Sequence, residues 1–231
     1  NADIICLQEY NTATNKKYLT EQDIKKALKA YPYQSVHQQG KGDVQLACFS
    51  KFPILSIHPI KYESNYNGSM KYVLNVNNDT LTLINNHLES NKLTKEDRGM
   101  YEDMIKDPNA KKVKTGLRQL IRKLAEASAI RAVQADSIAR LVAGYKGGGI
   151  IVCGDFNDSP ISYTHRVVGE GLNDAFVESG NGFGISYNQN HFYFRIDNIL
   201  LSKNLKSYRC TVDNTIKSSD HYPIWCYVAE K

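Results

Sequence analysis

The feature that most constrains this chain is a succession of short apolar runs, each emptying onto polar or charged residues. Residues 4–7, 44–50, 70–76, 80–87, 150–153, 195–201 and 223–228 all read as strands of this kind. Asn77-Asn78-Asp79 between two of them is a hairpin signal, because asparagine tolerates the left-handed backbone that tight hairpins demand. Two helices interleave. One covers 21–30, and a longer one covers 117–142, with Leu117, Leu120, Ile121, Leu124, Ala132, Ala135, Ile138 and Val142 near helical spacing. Strands separated by helices in this order predict an α/β fold, a four-layer sandwich of two packed, mainly antiparallel sheets flanked by helices.

At 231 residues the chain suits one domain, 1–231, with a sizeable core. The polar, lysine-rich stretch 91–115 reads as a loop or short helix, and 91–146 as a helical insertion in that domain. A 42% hydrophobic and 23% charged composition is ordinary for a globular protein and argues against disorder. The net charge of +5 is too mild to identify a polyanionic partner. Cys6, Cys48, Cys153, Cys210 and Cys226 form no CxxC pair and are odd in number. Buried thiols are therefore expected rather than a disulfide framework or zinc site, which weakly favours a reducing, cytoplasmic setting. No apolar run reaches the roughly 18 residues that span a bilayer, and no signal-peptide pattern is present.

Chemistry-bearing residues sit where the apolar runs end. Cys6-Leu7-Gln8-Glu9 is a strand emptying onto a carboxylate. Ile84-Asn85-Asn86-His87-Leu88-Glu89 ends on a histidine and a glutamate. Gly154-Asp155-Phe156-Asn157-Asp158 is followed by Pro160 and Ser162. Arg195-Ile196-Asp197-Asn198-Ile199-Leu200 carries an acid inside a strand, and Ser219-Asp220-His221-Tyr222-Pro223 leads into the last one. Each has a bland reading. Glu9 is usually a solvated loop residue, His87 a satisfied structural histidine, and Asp155 and Asn157 turn formers. Asp197 resists dismissal, because a buried carboxylate costs several kcal/mol unless paired. His221 is the expected partner.

Taken together, LQE, NHLE, GDFND-x-P-x-S, RIDNILL and SDHYP resemble the endonuclease/exonuclease/phosphatase family over residues 2–228. That family includes DNase I-like nucleases, abasic-site endonucleases, sphingomyelinases, inositol polyphosphate phosphatases and tyrosyl-DNA phosphodiesterases. The resemblance implies a metal-dependent hydrolase of phosphate esters, most simply a phosphodiesterase of nuclease type. It implies Glu9 as the main carboxylate ligand of Mg²⁺ or Mn²⁺, with Asp220 assisting directly or through water. Asp155 would orient or deprotonate the attacking water, and Asn157 would hydrogen-bond the phosphoryl oxygens. His221, supported by Asp197, would act as a base or stabilise the transition state, and His87 would contact the scissile phosphate. Whether the aspartate or the histidine is the base stays open.

The chain departs from the family pattern at its start. Members begin with a strand ending in asparagine, and none precedes Asn1. A chain without that strand would carry an apolar gap, and a membrane tether upstream stays open as a reading. Two alternatives to a nuclease-like enzyme therefore stand: a catalytically impaired binding module of the same fold, and a membrane-associated lipid phosphodiesterase. The string His87-Leu88-Glu89-Ser90 is most like the tyrosyl-DNA phosphodiesterases. Seven basic residues (Lys111, Lys112, Lys114, Arg118, Arg122, Lys123 and Arg131) stand against the single acid Glu126. They read either as a solvated helix face or as an arm attracting nucleic acid or acidic phospholipid headgroups. No motif implies a partner protein.

Overall fold

The structure, a computed structural model, describes residues 2–13, 18–38, 45–64, 66–94, 96–97, 99, 111–189 and 192–231, with the backbone alone for 111–115. Its centre is a six-stranded sheet in the order β4 (Ile54–Pro59), β5 (Gly68–Val76), β6 (Asp79–His87), β7 (Gly149–Asp155), β11 (Asp197–Ser202) and β8 (Leu172–Asp174). Every neighbouring pair is antiparallel except β6 and β7. A parallel pair needs a long crossover. Helix α2 (Lys111–Gly144) lies in that connection and packs Ala135, Ile138 and Val142 against Ile84, Ile150, Val152 and Leu200 of the sheet.

The opposite face of the sheet carries a second β layer in two pieces. Strands β1 (Ile4–Tyr10), β3 (Gln45–Ser50) and β2 (Tyr33–Gln38) form one, in that order. Strands β12 (Leu205–Val212) and β13 (Ile224–Glu230) form the other. Leu46 and Cys48 of the first piece pack on Met70, Tyr72, Leu74 and Leu83, while Leu205 and Cys210 of the second pack beside Leu201. Ile151 touches both clusters. Outside β3, helix α1 (Glu21–Ala27) adds Ile24 against a cluster of Tyr31, Ala47 and Phe49. Helix, sheet, sheet and helix make the four-layer α/β sandwich that the alternation of runs predicts. Among the described residues no helix is long and apolar enough to cross a membrane.

Local chemistry accounts for the elements that the pattern anticipates. Thr20 caps α1 in a capping box with Asp23. Asn77 and Asn78 take φ of 54° and 70° in the two-residue hairpin joining β5 to β6, the geometry of a type I′ turn. Several boundaries differ. Helix α2 begins at Lys111, six residues before the first apolar position of its stripe, since lysines are good helix formers. Residues 95, 98 and 100–110 of the lysine-rich stretch, and Val44 before β3, lie outside the described residues. Strands β2, β4, β8, β12 and the hairpin of β9 (Tyr187–Gln189) and β10 (Phe192–Phe194) were not anticipated. β2 is mostly exposed, and β8 to β10 span three residues each, too short for the pattern to register as strands.

Candidate active site

The site is assembled by strand register. β6 and β7 are aligned so that His87 lies opposite Asp155, and β7 and β11 so that Asp155 lies opposite Asp197. Cross-strand neighbours sit about 5 Å apart. His87, Asp155 and Asp197 therefore form one row across three adjacent strands at the end of the central sheet, all buried. Ladder-like bonds extend past the strands, with Leu88 N donating to Asp155 O (3.0 Å) and Phe156 N to Ile196 O (2.8 Å).

Two backbone features permit the row. Gly154 adopts φ of +119°, and a Cβ there would stand 2.1 Å from Asn86 O, so only glycine lets β7 approach β6 so closely. Glu9 occupies a bulge between Leu7 and Tyr10 with φ of 52°. Such a bulge re-aims one side chain. Here it brings Glu9 Oε1 to 3.4 Å from His87 Nε2, while the Glu9 side chain stays open to solvent. Nε2 is also 4.0 Å from Asp155 Oδ2.

His221 enters from the loop before β13. Its Nδ1 lies 2.8 Å from Asp197 Oδ2, and its ring meets Tyr187 edge-on at 5.1 Å between centroids. Ser186 ties this dyad together from beneath. Its buried hydroxyl accepts from Ile196 N (3.1 Å) and Asp197 N (3.0 Å), and its carbonyl accepts from Tyr222 N (2.7 Å). Asn157 sits at φ of 51° and donates from its backbone N to Asp155 Oδ1 (2.7 Å). Both protons of its amide are engaged, on Asp155 Oδ2 and Leu88 O at 2.9 Å each. In this state Asn157 therefore fixes Asp155, rather than reaching outward to a phosphoryl oxygen. Asp220 is exposed beside His221, with Ser219 Oγ 3.4 Å from it.

The electrostatics follow from burial and crowding. Burial and the Asp197 carboxylate push Asp155 up to about 8, and Glu9 adds to this against the pull of His221 and the Asn157 bond. Burial would lower His221, but the bond to Asp197 and the charges of Asp197, Asp155 and Asp220 outweigh it, raising His221 to about 9. Burial, helped by His221, holds His87 down at about 4 against Asp197 and Glu89. His87 is thus a neutral ring at pH 7. Its Nε2 faces carboxylates and gains by carrying the proton, which leaves the buried Nδ1, without a partner among the described residues, as an acceptor.

The donor set suits a hard divalent cation. Carboxylate oxygens of Asp155 and Asp197 and a ring nitrogen of His221 lie within 4.8 Å of one another, and Glu9 adds a solvent-facing carboxylate nearby. Two buried acids side by side, one driven to hold a proton, would be relieved by positive charge. A cation wedged between Asp197 and His221 would break their bond. The Glu9 edge of the cluster is therefore where an ion fits at least cost.

Other polar groups were not singled out by sequence. Asn85 and Asn86 are fully buried, Asn85 linking Gln8 (2.6 Å) to Ala47 O (3.3 Å) across the two sheets. Asp174 gathers Arg195 and His165 behind β11. The basic stretch is not a uniform free face. Arg131 is buried, Arg122 pairs with Glu126 (2.8 Å) and Lys123 with Asp97 (2.6 Å). The side chains of Lys111, Lys112 and Lys114 lie outside the description. A helix face that already has internal acids and the core to satisfy has less charge to offer a polyanion.

The chain belongs to the Endonuclease/Exonuclease/phosphatase family, whose profile matches residues 1–221. That membership makes it a hydrolase of phosphate esters. Solved structures of the same fold include a humanised TDP2 of D. rerio at 16% identity, which spans 98% of this chain and 85% of that one with a TM-score of 0.67. The human Nocturnin catalytic domain with a bound sulfate anion matches at 16% identity over 99% and 81%, with a TM-score of 0.65. D. rerio TDP2 complexed with single-strand DNA product matches at 17% over 98% and 86%, also at 0.67. None of the curated proteins matches this chain.

Proposed function

We propose that this protein is a Mg²⁺- or Mn²⁺-dependent phosphodiesterase that cleaves single-stranded nucleic acid. The observation that carries the reading is the row His87–Asp155–Asp197 with His221 bonded to its outer member. The substrate class rests on the fold shared with the D. rerio protein that holds a single-strand DNA product. Among the described residues nothing favours a phospholipid headgroup.

Phosphoryl transfer gains mainly from positioning and from neutralising charge on the equatorial oxygens. His221 spends Nδ1 on Asp197, which leaves Nε2–H to donate to a phosphoryl oxygen as an imidazolium. With His221 held protonated, Asp155, ionised once positive charge in the site offsets the Asp197 carboxylate, is the better proton acceptor, and an attacking water would lie against its carboxylate. Asn157 keeps that carboxylate in one orientation. Neutral His87 donates from Nε2 toward the substrate or Glu9. The cation, held by Glu9 with help from Asp220, would supply positive charge at a non-bridging oxygen.

The test measures hydrolysis of bis(p-nitrophenyl) phosphate and of a single-stranded oligonucleotide with Mg²⁺ or Mn²⁺, with and without EDTA. Turnover should require metal, and Asp155→Asn and His221→Ala should each cost at least ~100-fold in kcat, the scale of general-base and electrostatic groups. Turnover that survives EDTA, or two fully active variants, would remove the assignment. No turnover at all would leave a non-catalytic module of the same fold.

A further inference from the structure

Arg131 is 3% exposed, and its guanidinium spans the two loops that flank the row of reactive residues. Nη1 donates to Glu89 O (2.8 Å) and Asn91 Oδ1 (2.9 Å) in the loop after β6. Nε donates to Asp158 Oδ2 (3.2 Å) in the loop after β7, and Thr164 Oγ1 holds the same oxygen at 3.0 Å. The loops are stitched to each other as well, by Asn91 Nδ2 to Asn157 O (3.3 Å) and Asn157 Nδ2 to Leu88 O (2.9 Å). One turn along the helix, Gln134 Oε1 accepts from Glu89 N at 2.9 Å. Glu89 is therefore held at both its backbone N–H and its carbonyl by one helix face.

A buried arginine is costly unless paired and hydrogen-bonded, and three of the N–H donors of Arg131 are directed here. Its planar fork suits simultaneous contact with two loops, which a single ammonium cannot reproduce. The loop after β6 follows His87 directly, and the loop after β7 contains Asn157 in its left-handed conformation against Asp155. Among the described residues neither loop has a strand partner beyond its first residue, so these bonds fix how the two loops stand against each other.

We infer that Arg131 is a positioning residue for the phosphate-ester site, holding the loop after β7, with Asn157 against Asp155, at a fixed distance from the loop after β6 that follows His87. This rests on the proposed phosphodiesterase reading. It touches no reacting atom itself.

The test compares wild type, Arg131→Ala and Arg131→Lys on bis(p-nitrophenyl) phosphate, with thermal midpoints and amide hydrogen exchange at 88–91 and 156–159. A misplacement near 1 Å costs about 100-fold, so kcat should fall by about that factor in both variants with KM within about threefold. Guanidinium ion should recover at least about tenfold of the Arg131→Ala loss and none of the Arg131→Lys loss, since the lysine fills the cleft. Exchange in both loops should rise together in Arg131→Ala and fall again with guanidinium. A folded variant with wild-type kcat overturns the inference, as does a loss that guanidinium leaves untouched. Should Arg131→Ala not fold, the lysine variant decides by its kcat. A wild type without turnover defeats the phosphodiesterase reading alone, and the paired exchange response still decides whether the clamp exists.

Discussion

Replacing Asp174 by asparagine isolates the polar network behind the site. Asp174 Oδ1 caps the short helix Ala175–Ser179, accepting from Phe176 N (2.9 Å) and Val177 N (3.1 Å). The same carboxylate receives Arg195 in a fork, Nη1 to Oδ1 at 2.9 Å and Nη2 to Oδ2 at 2.6 Å, and His165 Nε2 lies 3.0 Å from Oδ2. Asparagine keeps the capping oxygen but turns an NH₂ toward two donors and leaves the buried guanidinium without a counter-charge. Breaking one side of a buried pair costs about 3–5 kcal/mol. For a chain of this size that lowers the melting temperature by roughly 6–20 °C. The pH dependence has a definite sign. Burial pushes the Asp174 carboxyl up, but the bonds from His165 and Arg195 and the arginine charge hold it well below the usual carboxylate range. A carboxylate with a depressed value stabilises the fold fully above its unfolded value near ~4, and loses that contribution as pH falls toward the folded value. The gap between wild type and Asp174→Asn in urea unfolding should be constant from pH 7 to 5. Below pH 4 it should narrow by roughly 1.4 kcal/mol per pH unit. A gap under ~1 kcal/mol at pH 7, or one that ignores acid, would show that the fork is not a buried ion pair in solution.

Two further outcomes follow from local geometry. In the metal-free protein, Asp197→Asn should lower the His221 titration from about 9, read by histidine NMR, because burial then meets only the weaker counterweights of Asp155 and Asp220. The bonded imidazolium stabilises wild type fully below ~6.5 and loses that stabilisation as pH rises through about 9, so the cost of this substitution should shrink above that pH. Asn78→Gly, at φ of 70° in the β5–β6 hairpin, should raise stability by up to ~1 kcal/mol by urea unfolding and leave kcat unchanged, since glycine takes that conformation without strain. A destabilised Asn78→Gly protein would contradict the type I′ turn.

The clustered residues were legible in sequence because each lies at an end of an apolar run, Glu9, His87 and Asp155 where one closes and Asp197 and His221 at or before the start of one. Glu9, His87, Asp155, Asp197 and His221 come together from five separated segments, yet each needs only its own strand end to be recognised. The residues that hold them were not legible for the opposite reason. Arg131 bonds 42 residues back to Glu89 and 27 forward to Asp158, so its role exists only once α2 has packed across the parallel β6–β7 pair. Counting charges along 111–131 groups Arg131 with a solvated basic arm, because composition ignores which face a residue occupies. The helical period does not ignore it. Positions 131, 134, 135, 138 and 142 share one stripe, and three of them are apolar core residues. A cation and an amide on the stripe that covers a sheet must find buried partners, and the loops that leave the strand ends offer backbone groups not spent on the sheet. The same reasoning applies to Asn85 and Asn86, polar residues inside an apolar strand with ends that carry chemistry. Where a core stripe is interrupted by a group that must be hydrogen-bonded, the interruption marks the scaffold of the site as surely as a motif marks its chemistry.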